Sequence, residues 1–256
     1  MSERPASNSN PLAGHDPRSG ERRAFVAGAS GAIGRVLCSL LLQDGWQVIG
    51  TTRSPARAAA LRALGVQPVV VDVFDREALI RSVAAAAPHV VIHQLTDLPK
   101  VSSAEAMAAA RPRNARIREI GTDNLVAAAS RAGAKRLVAQ SIAFAYAPGP
   151  RPYVEEAALD VVTAPAVAKL EALVLDSGLD GLVLRYGRLY GPGTWADAPA
   201  GEAPVHVDAA ADAARRAATI GARGVYNIAE EDGSVSSAKA RAELGWSPAF
   251  RAPAAP

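Results

Sequence analysis

The segment AFVAGASGAIGR, Ala24 to Arg35, constrains this chain more than any other stretch. An apolar run is broken by Gly28, Gly31 and Gly34, and Ile33, Val36, Leu37, Leu40 and Leu41 then recur at helical spacing. A buried strand that turns sharply into a helix has this form. The first N–H groups of such a helix lack intrahelical acceptors, and its dipole adds partial positive charge there. Glycines at the turn let a phosphate approach the backbone with no Cβ in the way. A tight turn without a ligand has the same spacing. The position, directly after a first strand and opening a helix, favours the phosphate cradle.

Further along, strand-like and helix-like stretches alternate. RRAFVAG, WQVIGTT, QPVVVDV, HVVIHQL, KRLVAQS and LDGLVLRYG read as strands. Between them run helices, among them SPARAAALRALG (opened by Ser54 and Pro55, closed by Gly65), DREALIRSVAAAA, a long stretch ending near NLVAAASRAG, and AVAKLEALVLDSG. Apolar strands separated by helices predict an α/β fold, a Rossmann-type doubly wound parallel sheet covered on both faces. The expected organisation is a disordered tail over 1–22, a dinucleotide-binding domain over 23–189, a small trimmed C-terminal substrate lobe over 190–250 with one strand (RGVYNIA) returning to the sheet, and a frayed tail over 251–256.

In such a fold, an acidic residue at the end of the second strand would hold the ribose hydroxyls of NAD. Here that end reads Ile49, Gly50, Thr51, Thr52, Arg53, with no acid. Arg53 offers a guanidinium where a 2′-phosphate would sit, Thr52 a hydroxyl, and Arg57 a second charge one turn into the next helix. Bidentate Arg–phosphate contacts favour NADP over NAD.

Composition excludes some functions. The net charge of +3 is scattered, with no basic stripe interleaved with aromatics, so nucleic-acid binding has no support. No run is long and apolar enough to span a bilayer. Cys38 is the single cysteine, which suits a reducing cytoplasm, and reads as a small core residue. The histidines, His15, His89, His93 and His206, have no metal-ligand spacing.

The chain resembles the extended short-chain dehydrogenase/reductase family, also called the NAD-dependent epimerase/dehydratase family. The segments that carry this, in order, are GASGAIGR, VVVDVFD, VVIHQL, GTDNLVAAASRAGAKRLVAQS, LRYGRLYGPGT, VHVDAAADAA, GVYNIAEED and KARAELGWSP. The resemblance implies that Gly28, Gly31 and Gly34, with Ser30 and Ile33, cradle a pyrophosphate. It implies that Asp72 and Val73 meet the adenine, and that His93, Gln94 and Leu95 meet the nicotinamide-side ribose. Arg118 stands where the family usually has an Asn, and Asn114 lies a turn earlier. It also implies a homodimer through the long fourth helix and the helix near Lys169. The charge of RPRNARIREIG opposes that interface, so the oligomeric state stays open.

The family's catalytic Tyr and Lys, at Y-x-x-x-K, are missing. Aligning on Lys169 puts Pro165 at the Tyr position; aligning on Glu171 puts Thr163 and Val167 at the Tyr and Lys positions. In SIAFAY, Tyr146 could serve as the acid with Ser141 as its hydrogen-bonding neighbour, and Tyr186 and Tyr190 could line a substrate pocket. Three functions remain open: an NAD(P)-dependent oxidoreductase of an atypical subgroup acting on a small metabolite; a non-redox dehydratase, isomerase or cyclase on the same fold; and a catalytically inactive NADP-binding sensor.

Overall fold

A computed structural model describes residues 22–99 and 101–253. The expected N-terminal tail therefore falls, apart from Arg22, outside the described residues, as do His15, Lys100 and residues 254–256 of the C-terminal tail. The strands are β1 (Arg23–Ala27), β2 (Gln47–Thr52), β3 (Gln67–Val70), β4 (Val90–His93), β5 (Arg136–Ile142), β6 (Asp180–Tyr186), β7 (Arg188–Tyr190), β8 (Pro204–His206) and β9 (Gly224–Ile228). The helices are α1 (Ala32–Gln43), α2 (Pro55–Ala63), α3 (Arg76–Ala86), α4 (Ala104–Arg116), α5 (Thr122–Arg131), α6 (Pro165–Leu175), α7 (Val207–Ala217) and α8 (Ala238–Leu244).

Seven strands form one sheet in the order β3-β2-β1-β4-β5-β6-β9, every neighbouring pair parallel. The order reverses between β1 and β4, so a crevice opens beyond their C-terminal ends, where sheets of this type bind ligands. β7 and β8 form a separate parallel pair at either end of the segment YGPGTWADAPAGEAP, and strands of three residues carry no periodic signal in the sequence.

Side chains alternate across the sheet. Ala24 and Val26 of β1, Val90 and Ile92 of β4, and Leu182 and Leu184 of β6 pack on one face with Leu37, Cys38 and Leu41 of α1 and the alanines of α7. Phe25 and Ala27, Val91, Leu137, Ala139 and Val183 pack on the other against Leu79 and Val83 of α3, Leu125 and Ala128 of α5, and Leu170 and Val174 of α6. Ala209, Ala210, Ala211, Ala213 and Ala214 of α7 are completely buried, and such small side chains let helices lie close together. Asp212, on the same helix, is also fully buried and paired to Arg215 and Arg216, each at 2.6 Å.

The long helical stretch before β5 is not continuous. A π-helical turn over Ile117–Gly121 separates α4 from α5. The wide turn brings the Gly121 backbone against Val73, where an added Cβ would come within 3.3 Å of Cγ1, and sets Ile117 beside the crevice. Among the described residues, no helix is long and apolar enough to cross a membrane.

Candidate functional site

A cleft of roughly 370 Å³ lies at the reversal point, walled by the ends of β1 to β4. Its floor is the glycine turn. Gly28 has φ +92°, a backbone conformation that side chains disfavour, and a Cβ there would meet the Gln94 carbonyl oxygen at 2.6 Å. The Gly28 N–H donates to Thr51 Oγ1 at 3.3 Å, and its carbonyl accepts from the Gly31 N–H at 3.0 Å. Gly31 caps α1 with no side-chain cap and no acidic residue in the first turn, so the first N–H groups of the helix keep their unmet hydrogen-bonding capacity.

Gly28, Ser30, Gly31, Thr52, Arg53, Arg57, Val73, Gln94 and Leu95 all line this cleft. Ile33 and Gly34 lie behind it. Ile33 is packed in the core, and Gly34 lets α1 sit directly on the turn, since a Cβ there would stand 2.2 Å from the Gly28 carbonyl oxygen. Asp72 is exposed and accepts the Phe74 N–H at 3.0 Å, so it shapes the turn that presents Val73 and Phe74. Val71, Phe74, Leu79 and Ile117 add an apolar wall that sequence reading missed. Phe74, next to Val73 in VDVF, was the visible signal; Ile117 depends on the π turn and had none.

At the β2 end, Thr52 Oγ1 accepts the Ser54 N–H at 3.1 Å, and Ser54 in turn caps α2. Arg53 and Arg57 are exposed, and among the described residues their guanidinium groups have no hydrogen-bond or ion-pair partner. An uncapped helix start, a turn that leaves no room for side chains and an apolar wall together fit a dinucleotide, and two free cations lie beside them.

At the β4 end, His93 is fully buried and outside the cleft lining. Its Nδ1 accepts the Leu95 N–H at 3.2 Å, which makes Nε2 the protonated nitrogen facing Thr122 Oγ1 at 3.1 Å. Burial, and secondarily the positive charge of Arg118, push its pKa down to about 4. Gln94 donates from Nε2 to the Tyr186 hydroxyl at 3.2 Å, so Tyr186 supports the cleft from below and burial pushes its own pKa well up.

The remaining predicted site residues are elsewhere. Tyr190 donates to Glu230 Oε1 at 2.6 Å and packs edge-on to His206. Ser141 donates to Glu171 Oε1 at 2.6 Å, and Glu171 forms a buried two-point ion pair with Arg185, at 2.9 and 2.6 Å. Arg185 Nη1 donates to the Tyr146 hydroxyl at 2.9 Å, and that hydroxyl donates to Asn227 Oδ1 at 2.6 Å. Tyr146 and Ser141 are thus brought together through one ion pair, outside the cleft lining. Burial raises the Tyr146 pKa, with Arg185 opposing the rise. Lys169 is exposed on α6.

The geometry agrees with comparisons to known proteins. Residues 28–201 match the model of a family described as NAD(P)H-binding. A Streptomyces protein named 3-diazoavenalumate denitrifying reductase is 48% identical over 181 residues, covering 67% of this chain and 58% of that protein. A Stigmatella aurantiaca protein named 4-hydroxy-2-methyl-3-oxo-4-farnesyl-3,4-dihydroquinoline-1-oxide ketoreductase is 34% identical over 119 residues, covering 45% of this chain and 32% of that protein. The chain therefore spans little more than half the length of the first relative and a third of the second. In fold, it is similar to the Thermotoga maritima UDP-glucose 4-epimerase, solved with UDP-glucose, at a TM-score of 0.76 and 19% identity, covering 90% of this chain and 94% of that one. With the glycine cradle, the strand order and the matched region in agreement, the chain belongs to the NAD(P)H-binding family, on the fold of the extended short-chain dehydrogenases/reductases.

Proposed function

We propose that this chain is an NADPH-dependent reductase acting on a small diazo-bearing carboxylate, of the kind in the name of its Streptomyces relative. The observation that carries this reading is the state of the hydroxyl expected to move a proton. The Tyr146 hydroxyl already donates to Asn227 and accepts from Arg185, and the family's Tyr–Lys pair is missing. Carbonyl reduction needs a proton donor for the developing alkoxide. When bound, reduced nicotinamide supplies a hydride, which at a diazonium carbon makes the C–H bond while the C–N bonding pair leaves with dinitrogen, so charge balances with no added proton.

The protein is left with binding, orientation and exclusion of water. Gly28, Ser30 and Gly31 hold the pyrophosphate, Val73, Phe74 and Ile117 receive the adenine, and Gln94 and Leu95 border the nicotinamide-side ribose. Arg53 and Arg57 select the 2′-phosphate, which supports NADPH over NADH. Tyr146 and Ser141 act as positioning residues that hold the ends of β5 and β6 together.

The test is turnover of 4-carboxybenzenediazonium with NADPH, above the rate without protein. One benzoate per NADPH oxidised is expected, with Tyr146→Phe within about threefold of the parent in kcat/KM. Nicotinamide oxidation with ketones and none with the diazonium would replace this reading with carbonyl reduction. Products formed without any nicotinamide change would favour the non-redox alternative. No turnover, with NADPH-dependent capture of a protein, would favour a sensor.

A further inference from the structure

Arg118 is a half-buried cation that the cofactor site does not use. Among the described residues, its guanidinium has no hydrogen bond, ion pair or ring contact. Its position is bracketed. Asn114, Arg118 and Thr122 follow at four-residue spacing and so share one helix face. On one side, Asn114 is buried and clamps the Asp97 backbone, accepting from its N–H at 2.9 Å and donating to its carbonyl at 3.0 Å. On the other, Thr122 holds the His93 ring at 3.1 Å. The two contacts end on His93, the last residue of β4, and on Asp97, and the residues between them, Gln94, Leu95 and Thr96, line the cleft. Arg118 lies between Asn114 and Thr122 in the chain, directly after the cleft-lining Ile117 and near enough to His93 for its charge to act on that ring.

The nearby charges leave this cation unanswered. The Asp97 carboxylate is engaged by Arg113 at 3.2 Å. Burial lowers the Arg118 pKa with no carboxylate opposing, and its charge depresses His93. A desolvated guanidinium without a counter-ion is unfavourable, and a ligand anion is what relieves it. The phosphates of a dinucleotide have their own partners at the α1 start and at Arg53 and Arg57.

We infer that Arg118 is the anion-recognition residue of the substrate site, receiving the carboxylate of the substrate at the β4 edge of the cleft. The inference rests on the reductase reading for the identity of the substrate, and on the placement of Arg118 for the anion. The test compares the parent protein with Arg118→Met in three measurements. The first is calorimetric binding of benzoate, as the carboxylate probe, to NADP-loaded protein. It should weaken at least about tenfold in the variant, as for loss of a charged hydrogen-bonding partner. The second is NADPH affinity by fluorescence, expected to stay within about twofold. The third is the preference in kcat/KM for 4-carboxybenzenediazonium over its methyl ester, expected to collapse, with Arg118→Lys restoring part of it. An NMR titration in which the His93 pKa rises in Arg118→Met would show the variant folded and the two groups adjacent. Unchanged benzoate binding overturns the proposal, as does weakened NADPH binding with benzoate unaffected, which would assign the guanidinium to a cofactor phosphate. If no diazonium turns over, the reductase reading fails, and the benzoate measurement still decides the anion site.

Discussion

His93 shows how a residue type associated with proton transfer can be held out of it. The Leu95 N–H points at Nδ1, so a second proton on the ring would face a donor as well as lose hydration. The consequence for stability has a definite sign. The unfolded imidazole takes up its proton near pH 6.5, whereas the buried ring does so only near 4. As pH falls through this window the unfolded state binds the proton first, so stability present above pH 6.5 is progressively lost, by up to about 3 kcal/mol. Denaturant melts between pH 7.5 and pH 4 should show the loss, and His93→Gln should flatten it. At the cradle, Gly31→Ala separates binding from folding. Its φ of −77° is ordinary for alanine, and the nearest atom to the new Cβ is the Gly28 carbonyl oxygen at 3.3 Å. The variant should fold with a thermal midpoint near the parent's and lose at least about tenfold in NADPH affinity, because the methyl group occupies the phosphate approach. Replacing both Arg53 and Arg57 by alanine should cut the preference for NADPH over NADH by about tenfold or more, as measured by paired fluorescence titrations.

The Glu171–Arg185 pair joins α6 to β6 and, through Ser141, to β5. Both side chains are almost completely buried, at 6% and 5% exposure, so removing one leaves the other uncompensated in a poorly hydrated place. Arg185→Met should destabilise the fold by about 3–5 kcal/mol, and the double variant Glu171→Leu with Arg185→Met should recover much of that in urea unfolding. This pair also marks a limit of what was legible. Arg185 interrupts LVLRYG, an otherwise apolar strand, which signals an unusual partner without naming it. The partner lies on a different element, 14 residues earlier, where Glu171 reads as an ordinary helix glutamate. The glycine turn, by contrast, was legible because its strand, turn and helix are contiguous, and Arg53 and Arg57 followed from their register to that turn. Ile117 was not, because a π turn leaves no periodic mark and decides which of its side chains reaches the cleft.

Across the whole molecule, the alternation of apolar strands and helices was enough to identify the doubly wound sheet. The C-terminal strand expected to return to the sheet lies there as β9, its seventh strand, whereas chain order did not reveal that α7 lies along α1 through a face of alanines. Arg215 ties the two helices again by reaching Asp44 at 3.0 Å as well as Asp212. Asp212→Asn should lower the thermal midpoint measurably, since Arg216 loses its carboxylate partner and Arg215 one of two, at a fully buried position. Cys38 of α1 is buried in the core that this helix pair shares, and burial pushes its thiol up to about 12. A thiol that stays protonated and enclosed reacts with neither maleimides nor disulfides in the native state. The protein is therefore a silent background for thiol labelling. A single cysteine placed at exposed Val162 would take one fluorophore and no more, and that dye could report on opening of the fold in single-molecule records without any native cysteine having to be removed first.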